Sequence, residues 1–215
     1  MPKEISSEVN PSGLYKINHS LQNIATMNYK EPLTKSELKE HEANLENTIP
    51  AVYCGTYHKY NCGSLYGMWI NLSSFDDYDD FIEFCQRLHC NEEDPELMFQ
   101  DFEGFPRCWY SESGMSRETF DKIHAYAELD DERKEAYEAY INFVGEDYAT
   151  LEKFEEHYEG KWDSCEDFAE YLYTELYGYE IPEFLQGFID WSAVWRNLDT
   201  AGDYTEEDGY IFRRD

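Results

Sequence analysis

The sequence predicts an α+β fold, with helices and short antiparallel strands laid out in successive segments behind a polar N-terminal extension. Three observations predict it. Apolar residues recur at helical spacing in several stretches and at strand spacing in others. Aromatic residues make up 17% of the chain, enough large apolar surface to offset the entropy of ordering. Acidic residues fall opposite the apolar stripes rather than within them, so the charge is carried outside the core.

The elements follow in order. Residues 1–50 hold 7 acidic and 5 basic residues, a net charge of -2, and read as a partly disordered extension. Its one predicted helix spans residues 35–44, with Thr34 as cap and Glu37 completing a capping box. Residues 51–58 read as a strand, residues 60–63 as a tight turn and residues 64–72 as a second strand, together a hairpin. A helix at 75–88 has Phe75, Tyr78, Phe81, Ile82, Cys85 and Leu88 as its apolar stripe. A short strand at 97–102 is ended by Gly104 and Pro106.

The middle third reads as helical, at 117–128, 131–144 and 148–158, with Phe120, Ile123, Leu151, Phe154 and Tyr158 facing inward. In the last third a helix at 164–177, capped by Asp163 or Ser164, buries Cys165, Phe168, Ala169, Leu172 and Leu176. A short helix at 191–198 and a strand at 209–213 complete the chain.

Charge carries the functional signal. Asp plus Glu number 47 against 17 Lys plus Arg, for a formal net charge of -30. Residues 51–111 carry -8, residues 112–160 carry -10 and residues 161–215 carry -10. An acidic tail would gather the charge at one end, and an active site would gather a few carboxylates in a pocket. An even spread over some 165 residues fits a long charged surface. It is organised as rows: Asp76, Asp77, Asp79, Asp80 and Glu83, then Glu152, Glu155, Glu156 and Glu159, then Asp163, Glu166, Asp167 and Glu170. Like charges three or four residues apart on a helix repel by a few tenths of a kcal/mol per pair, and ordinary surfaces intersperse both signs.

Double-stranded DNA carries about one negative charge per 1.7 Å of axis. The charge of residues 51–215 therefore equals that of about 14 base pairs at two phosphates per pair. A rigid body carrying such rows would compete for a basic DNA-binding groove. A binding module for some other basic DNA-binding protein would share this signature.

Enzyme signatures are missing: there is no GxSxG elbow, phosphate-binding P-loop, HExxH or EF-hand loop. The arrangement closest to a metal site is Cys54-x3-His58-x3-Cys62, with Cys85, His89 and Cys90 nearby in sequence. Zinc accepts such ligands, but the spacing is not that of paired CxxC motifs, and buried structural thiols are the better reading. The cysteines, Cys108 and Cys165 included, are expected to be reduced in a cytoplasmic protein. No stretch approaches the roughly 18 apolar residues of a membrane span, and no cofactor is implied.

Three strings carry a family resemblance. Residues 51–72, AVYCGTYHKYNCGSLYGMWINL, resemble the start of ArdA antirestriction proteins: a strand, a turn with Tyr60, Asn61 and Gly63, then a strand with Gly67, Trp69, Ile70, Asn71 and Leu72. Residues 99–106, FQDFEGFP, resemble the family's (H/Q)-D-(Y/F)-E-x-F-P. Residues 181–198, IPEFLQGFIDWSAVWRNL, resemble its antirestriction motif, with Pro182, Glu183, Phe188 and Asp190 at the matching positions. The resemblance covers about residues 51–215 and leaves the extension outside.

It implies an elongated, curved chain of three small domains: α+β at 51–111, helical at 112–160, and α+β at 161–215, the last forming a homodimer. It further implies binding to a type I restriction–modification enzyme in place of DNA, carriage on mobile genetic elements, and binding of neither nucleic acid nor membrane. Within the motif, Phe184, Leu185, Phe188, Ile189 and Trp191 are expected in the core or the dimer interface.

Overall fold

The computed structural model describes residues 30–46 and 50–214. The expectation of partial disorder at 1–29 and 47–49 lies outside the described residues.

The described part of the extension is docked. Helix α1 (Lys35–His41) has the full predicted capping box: Thr34 Oγ1 accepts from the Glu37 amide at 3.2 Å, and Glu37 accepts from the Thr34 amide at 2.7 Å. The helix stops at His41, short of the predicted 44, because Glu42 turns extended and forms a β-bridge with Ile70. The His41 ring stacks on Phe75 with centroids 4.1 Å apart, and Glu37 pairs with Arg87 at 2.7 Å.

Strands β1 (Ala51–Thr56), β2 (Met68–Asn71) and β3 (Leu97–Glu103) form an antiparallel sheet in the order β2-β1-β3. The predicted hairpin is real, pairing Val52 with Ile70 and Tyr53 with Trp69, but its connection is no tight turn. Thr56 caps a short helix α2 (Tyr57–Asn61) by accepting from the Lys59 amide at 3.2 Å. Gly63, at φ +78°, then takes the left-handed conformation that glycine adopts without a Cβ clash. Gly67 has a packing reason: a Cβ there would lie 2.3 Å from the Cys54 carbonyl oxygen. Opposite Tyr53 and Cys54, β3 carries Gln100 as a bulge.

Helix α3 (Tyr78–Leu88) buries Phe81, Phe84, Cys85 and Leu88 against this sheet. It starts at Tyr78 rather than at the predicted residue 75, because the Asp77 carboxylate caps it there, accepting from the amides of Asp79 at 2.8 Å and Asp80 at 3.0 Å; a 3₁₀ turn at Leu72–Ser74 precedes it. The middle helices α4 (Arg117–Ala127) and α5 (Asp131–Val144) follow prediction closely, whereas α6 (Leu151–His157) starts after the predicted residue 148 because Thr150 caps it, accepting from the Lys153 amide at 3.2 Å. Tyr137 donates to the Ala149 carbonyl at 2.8 Å and ties α5 to the turn before α6.

The C-terminal part holds more strand than predicted. β4 (Tyr158–Lys161), β5 (Tyr204–Glu207) and β6 (Tyr210–Arg213) make a second antiparallel sheet, order β4-β6-β5. β4 sits where the predicted helix was to end, and β5 was not predicted. Helix α7 (Cys165–Tyr171) widens into a π turn at Leu172–Leu176. A four-residue helix α8 (Glu183–Gln186) precedes α9 (Trp191–Ala201).

Successive strand residues point to opposite faces, and β6 uses both. Tyr210 and Phe212 join one core with Tyr140, Phe154 and residues reaching back to Val52. Ile211, between them, joins a second core with Phe168, Leu172, Leu198 and Tyr204. The second sheet therefore lies between two cores.

Candidate acidic interaction surface

Each predicted acidic row lies on the outer face of a helix whose inner face is buried. Asp76, Asp77, Asp79, Asp80 and Glu83 are exposed around the first turns of α3. Glu152, Glu155 and Glu156 are exposed on α6, whose inner side buries Phe154 and His157. Asp163, Glu166, Asp167 and Glu170 are exposed at and along α7, opposite Phe168 and Ala169. Glu159 differs. It lies half-buried on β4, and burial raises its carboxyl pKa while Arg213 partly counters that.

The rows are not uniform in charge. Asp79 pairs with Arg117 at 2.6 Å, and Glu155 pairs with Arg133. Asp77 is committed to capping α3, and Asp167 accepts from the Ser164 hydroxyl at 2.6 Å as part of the α7 cap. A cap carboxylate keeps its negative charge at a helix N-terminus, where the helix dipole favours it, but its oxygens are partly occupied.

The sequence rows missed a fourth. Asp131, Glu135 and Glu138 recur at i, i+4 and i+7 on α5 and line one wall of a cleft. Glu103, at the end of β3, lines the other. The spacing was visible in the sequence; the strand opposite was not.

The motif residues lie together but not in the core. Pro182 and Glu183 start α8, and the Asp190 carboxylate caps α9 by accepting from the Ala193 amide at 2.9 Å. Phe184 is 75% exposed, Leu185 42% and Phe188 85%. A core role for these three is excluded in the single chain; Ile189 and Trp191 are half-buried. Leu176, Tyr177 and Tyr179, on the preceding segment, are also exposed. Contiguous exposed apolar side chains of this size mark interaction sites.

Residues 52–212 match the family model described as antirestriction protein, ArdA. The chain belongs to the ArdA family. ArdA proteins are antirestriction proteins, which act by binding rather than by catalysis. No curated protein matches the chain. The ArdA match begins one residue into β1, so the docked extension lies outside it.

Within the ArdA region the cysteine–histidine arrangement does not come together as its spacing suggested. His58 lies on α2 rather than on a strand with Cys54, and its Nε2 is 4.0 Å from Cys62 Sγ. Cys54 faces His89 instead, also at 4.0 Å, and shares a buried contact with Cys85. Among the described residues no group of three or more His, Cys, Asp or Glu side chains could hold a metal ion.

What surrounds His89 is a buried polar network that sequence reading missed. Lys59 Nζ lies 2.9 Å from His89 Nδ1, 3.1 Å from Asn91 Oδ1 and 2.5 Å from Glu92 Oε1. Burial pushes the Glu92 carboxyl up, but hydrogen bonds from Lys59 and Thr56 and the Lys59 charge outweigh that and leave it below its ordinary value. A lysine following a strand ordinarily reads as exposed, so no sequence signal marks this one.

No helix among the described residues is long and apolar enough to cross a membrane.

Proposed function

We propose that this ArdA chain is a DNA mimic that occupies the DNA-binding groove of a type I restriction–modification enzyme and blocks restriction without chemistry of its own. The observation that carries this reading is the set of exposed carboxylate rows on successive helices, α3, α6 and α7, joined by the row on α5. Each row is fixed to a buried aromatic stripe, so the charges are held in place rather than spread over a mobile tail. Groups held rigidly in phosphate-like positions lose little freedom on binding. A net charge of -30 repels DNA itself.

The exposed apolar segment around α8 supports a homodimer, with Phe184, Leu185 and Phe188 meeting their counterparts across a two-fold axis. Two copies would double the acidic surface along one line. The three units at 51–111, 112–160 and 161–215 would then follow the groove in succession, and the protein would act in the cytoplasm, where such enzymes work.

The test is cleavage of an unmodified plasmid bearing recognition sites by a purified type I enzyme, titrated with this protein. A parallel reaction contains an unrelated protein of equal net charge. Inhibition near stoichiometric ratios, absent from the control, is expected. Equal inhibition by both proteins would reduce the effect to charge. No inhibition of several type I enzymes would overturn the reading in favour of another basic DNA-processing partner.

A further inference from the structure

We propose that the cleft between β3 and α5 receives one guanidinium group, an arginine side chain of the protein partner; the inference rests on the reading of the chain as a mimic with a basic partner. The cleft has a volume of about 560 Å³. Phe102, Phe105 and Tyr126 contribute its aromatic side. Its walls carry Glu103 from the strand and Asp131, Lys134, Glu135 and Glu138 from the helix, four carboxylates against one ammonium.

The sequence builds it locally. Gly104, at φ +79°, turns the chain out of β3 and leaves Glu103 at the rim with Phe105 buried beneath. Asp130 caps α5, accepting from the Arg133 amide at 2.8 Å, and so sets the phase that puts Asp131, Glu135 and Glu138 on one face.

The chemistry points to a flat cation. Aromatic faces attract cations, more strongly when water is excluded, and a guanidinium combines such stacking with a fork of N–H donors that fits carboxylates. The chain's own cations already use these rings: Arg107 lies 5.4 Å from the Phe102 centroid and Lys134 lies 5.9 Å from that of Tyr126. Glu135 accepts from Tyr210 at 2.8 Å and pairs with Lys161 at 3.9 Å, and Glu138 accepts from Tyr126 at 3.4 Å. Glu103 and Asp131 stand exposed on opposite walls. The carboxylates do not come close enough together to hold a metal ion, whereas a guanidinium fork spans a wider gap. Acidic walls around apolar surface also focus the field on an incoming positive group.

The experiment uses the full chain and a short peptide with a single arginine, compared with the same peptide carrying citrulline, an uncharged isostere. Binding is read from the ring NMR signals of Phe105 and Tyr126. The arginine peptide is expected to shift them saturably and the citrulline peptide not. The double variant Glu103→Gln, Asp131→Asn should weaken the arginine peptide at least tenfold. Removing the same two charges from the exposed loop before β3, Glu93→Gln with Asp94→Asn, should weaken it less than twofold. Equal shifts by both peptides, or equal losses in both variants, would overturn the cleft as an arginine site. Peptide binding requires no restriction enzyme, so this outcome is independent of whether the mimic reading stands.

Discussion

The first sheet and the second are made of the same parts, three antiparallel strands with helices packed on them, yet their surroundings are finished differently. In the first, the chain covers one edge of its own sheet. Glu42 and Ala43 of the extension pair with the free edge of β2, the Ala43 amide donating to the Trp69 carbonyl at 3.0 Å. The buried Lys59 is matched by Glu92, His89 and Asn91. In the C-terminal unit, Leu176, Tyr177, Tyr179, Phe184, Leu185 and Phe188 stay exposed. The difference teaches that the extension closes one edge of the first sheet, with exposed apolar side chains left mainly in the loop of Tyr60, Leu65 and Tyr66, whereas the C-terminal part leaves a longer apolar segment uncovered.

The sharpest test of how far the two ends depend on each other is Phe212→Ala. Phe212 is fully buried and contacts the rings of Tyr140, Phe143, Phe154 and Tyr158, which belong to the middle helices and β4. Truncating a buried phenylalanine costs about 3–5 kcal/mol. Denaturant unfolding followed by both tyrosine and tryptophan signals should show one lowered transition for the whole chain. Two separated transitions, with the first unit unaffected, would mean that the shared core does not couple the ends.

Next in size is the buried network of the first unit. Lys59→Met leaves Glu92 desolvated without its cation and should cost about 3 kcal/mol. Adding Glu92→Leu should restore most of the loss, because an apolar pair fills the space with no charge left unpaired. Acid should act on the same unit. Glu92 has a lowered pKa in the folded protein, so its contribution is present above the ordinary carboxylate range and is lost as pH falls through the folded value. Glu37 is held down to about 2, first by the Thr34 hydroxyl and then by the Thr34 amide and Arg87. Docking of α1 should therefore weaken between about pH 4.5 and pH 2. Loss of amide-exchange protection at residues 34–43 before that of β1 would confirm the order; simultaneous loss would count against it.

The open end should respond in the opposite way. Phe188→Ser removes a side chain that is 85% exposed in the single chain, so unfolding of the monomer should shift by less than about 0.5 kcal/mol. Dimerisation should lose about 2 kcal/mol, roughly 30-fold in affinity, as for an aromatic anchor at the centre of an interface. Mass by light scattering across a dilution series reads this directly. An unchanged dimer would move the interface elsewhere on the chain.

These contrasts mark what the sequence could and could not tell. Helix α5 was legible to the residue because periodicity, the Asp130 cap and the closing Gly145 all agree. β5 was missed although a local signal was there: Glu207 pairs with Tyr210 across Asp208-Gly209, both at positive φ, the two-residue turn that Asp-Gly favours, and the acidic Glu206 and Glu207 masked the strand pattern before it. β4 was hidden because Tyr158 continues the apolar spacing of α6 while its backbone has turned extended. The acidic rows were legible because i, i+3 and i+4 spacing fixes a helix face. The cleft was not, because one of its walls comes from a strand separated from the helix by some 30 residues. Hydrophobic composition could place the α8 segment in the core or at an interface but not choose between them; in the single chain Phe184, Leu185 and Phe188 are exposed.

The smallest expected effect bears most directly on mimicry. Asp80→Asn, Glu156→Gln or Glu170→Gln each removes one exposed charge. In a distributed surface, each change should weaken partner binding by less than about 1 kcal/mol, and less at high salt, because exposed charges more than about 8 Å apart are screened at physiological ionic strength. Their sum should not be small. Neutralising all of Glu152, Glu155 and Glu156 should cost more than three single changes chosen from separate helices, since a row faces one stretch of a basic groove and its charges act on the same counterions. A plot of affinity against salt should lose slope in proportion to the charges removed. If one of these single changes abolishes antirestriction in a folded protein, the surface is a specific site with one decisive contact, and the distributed mimic is the wrong description.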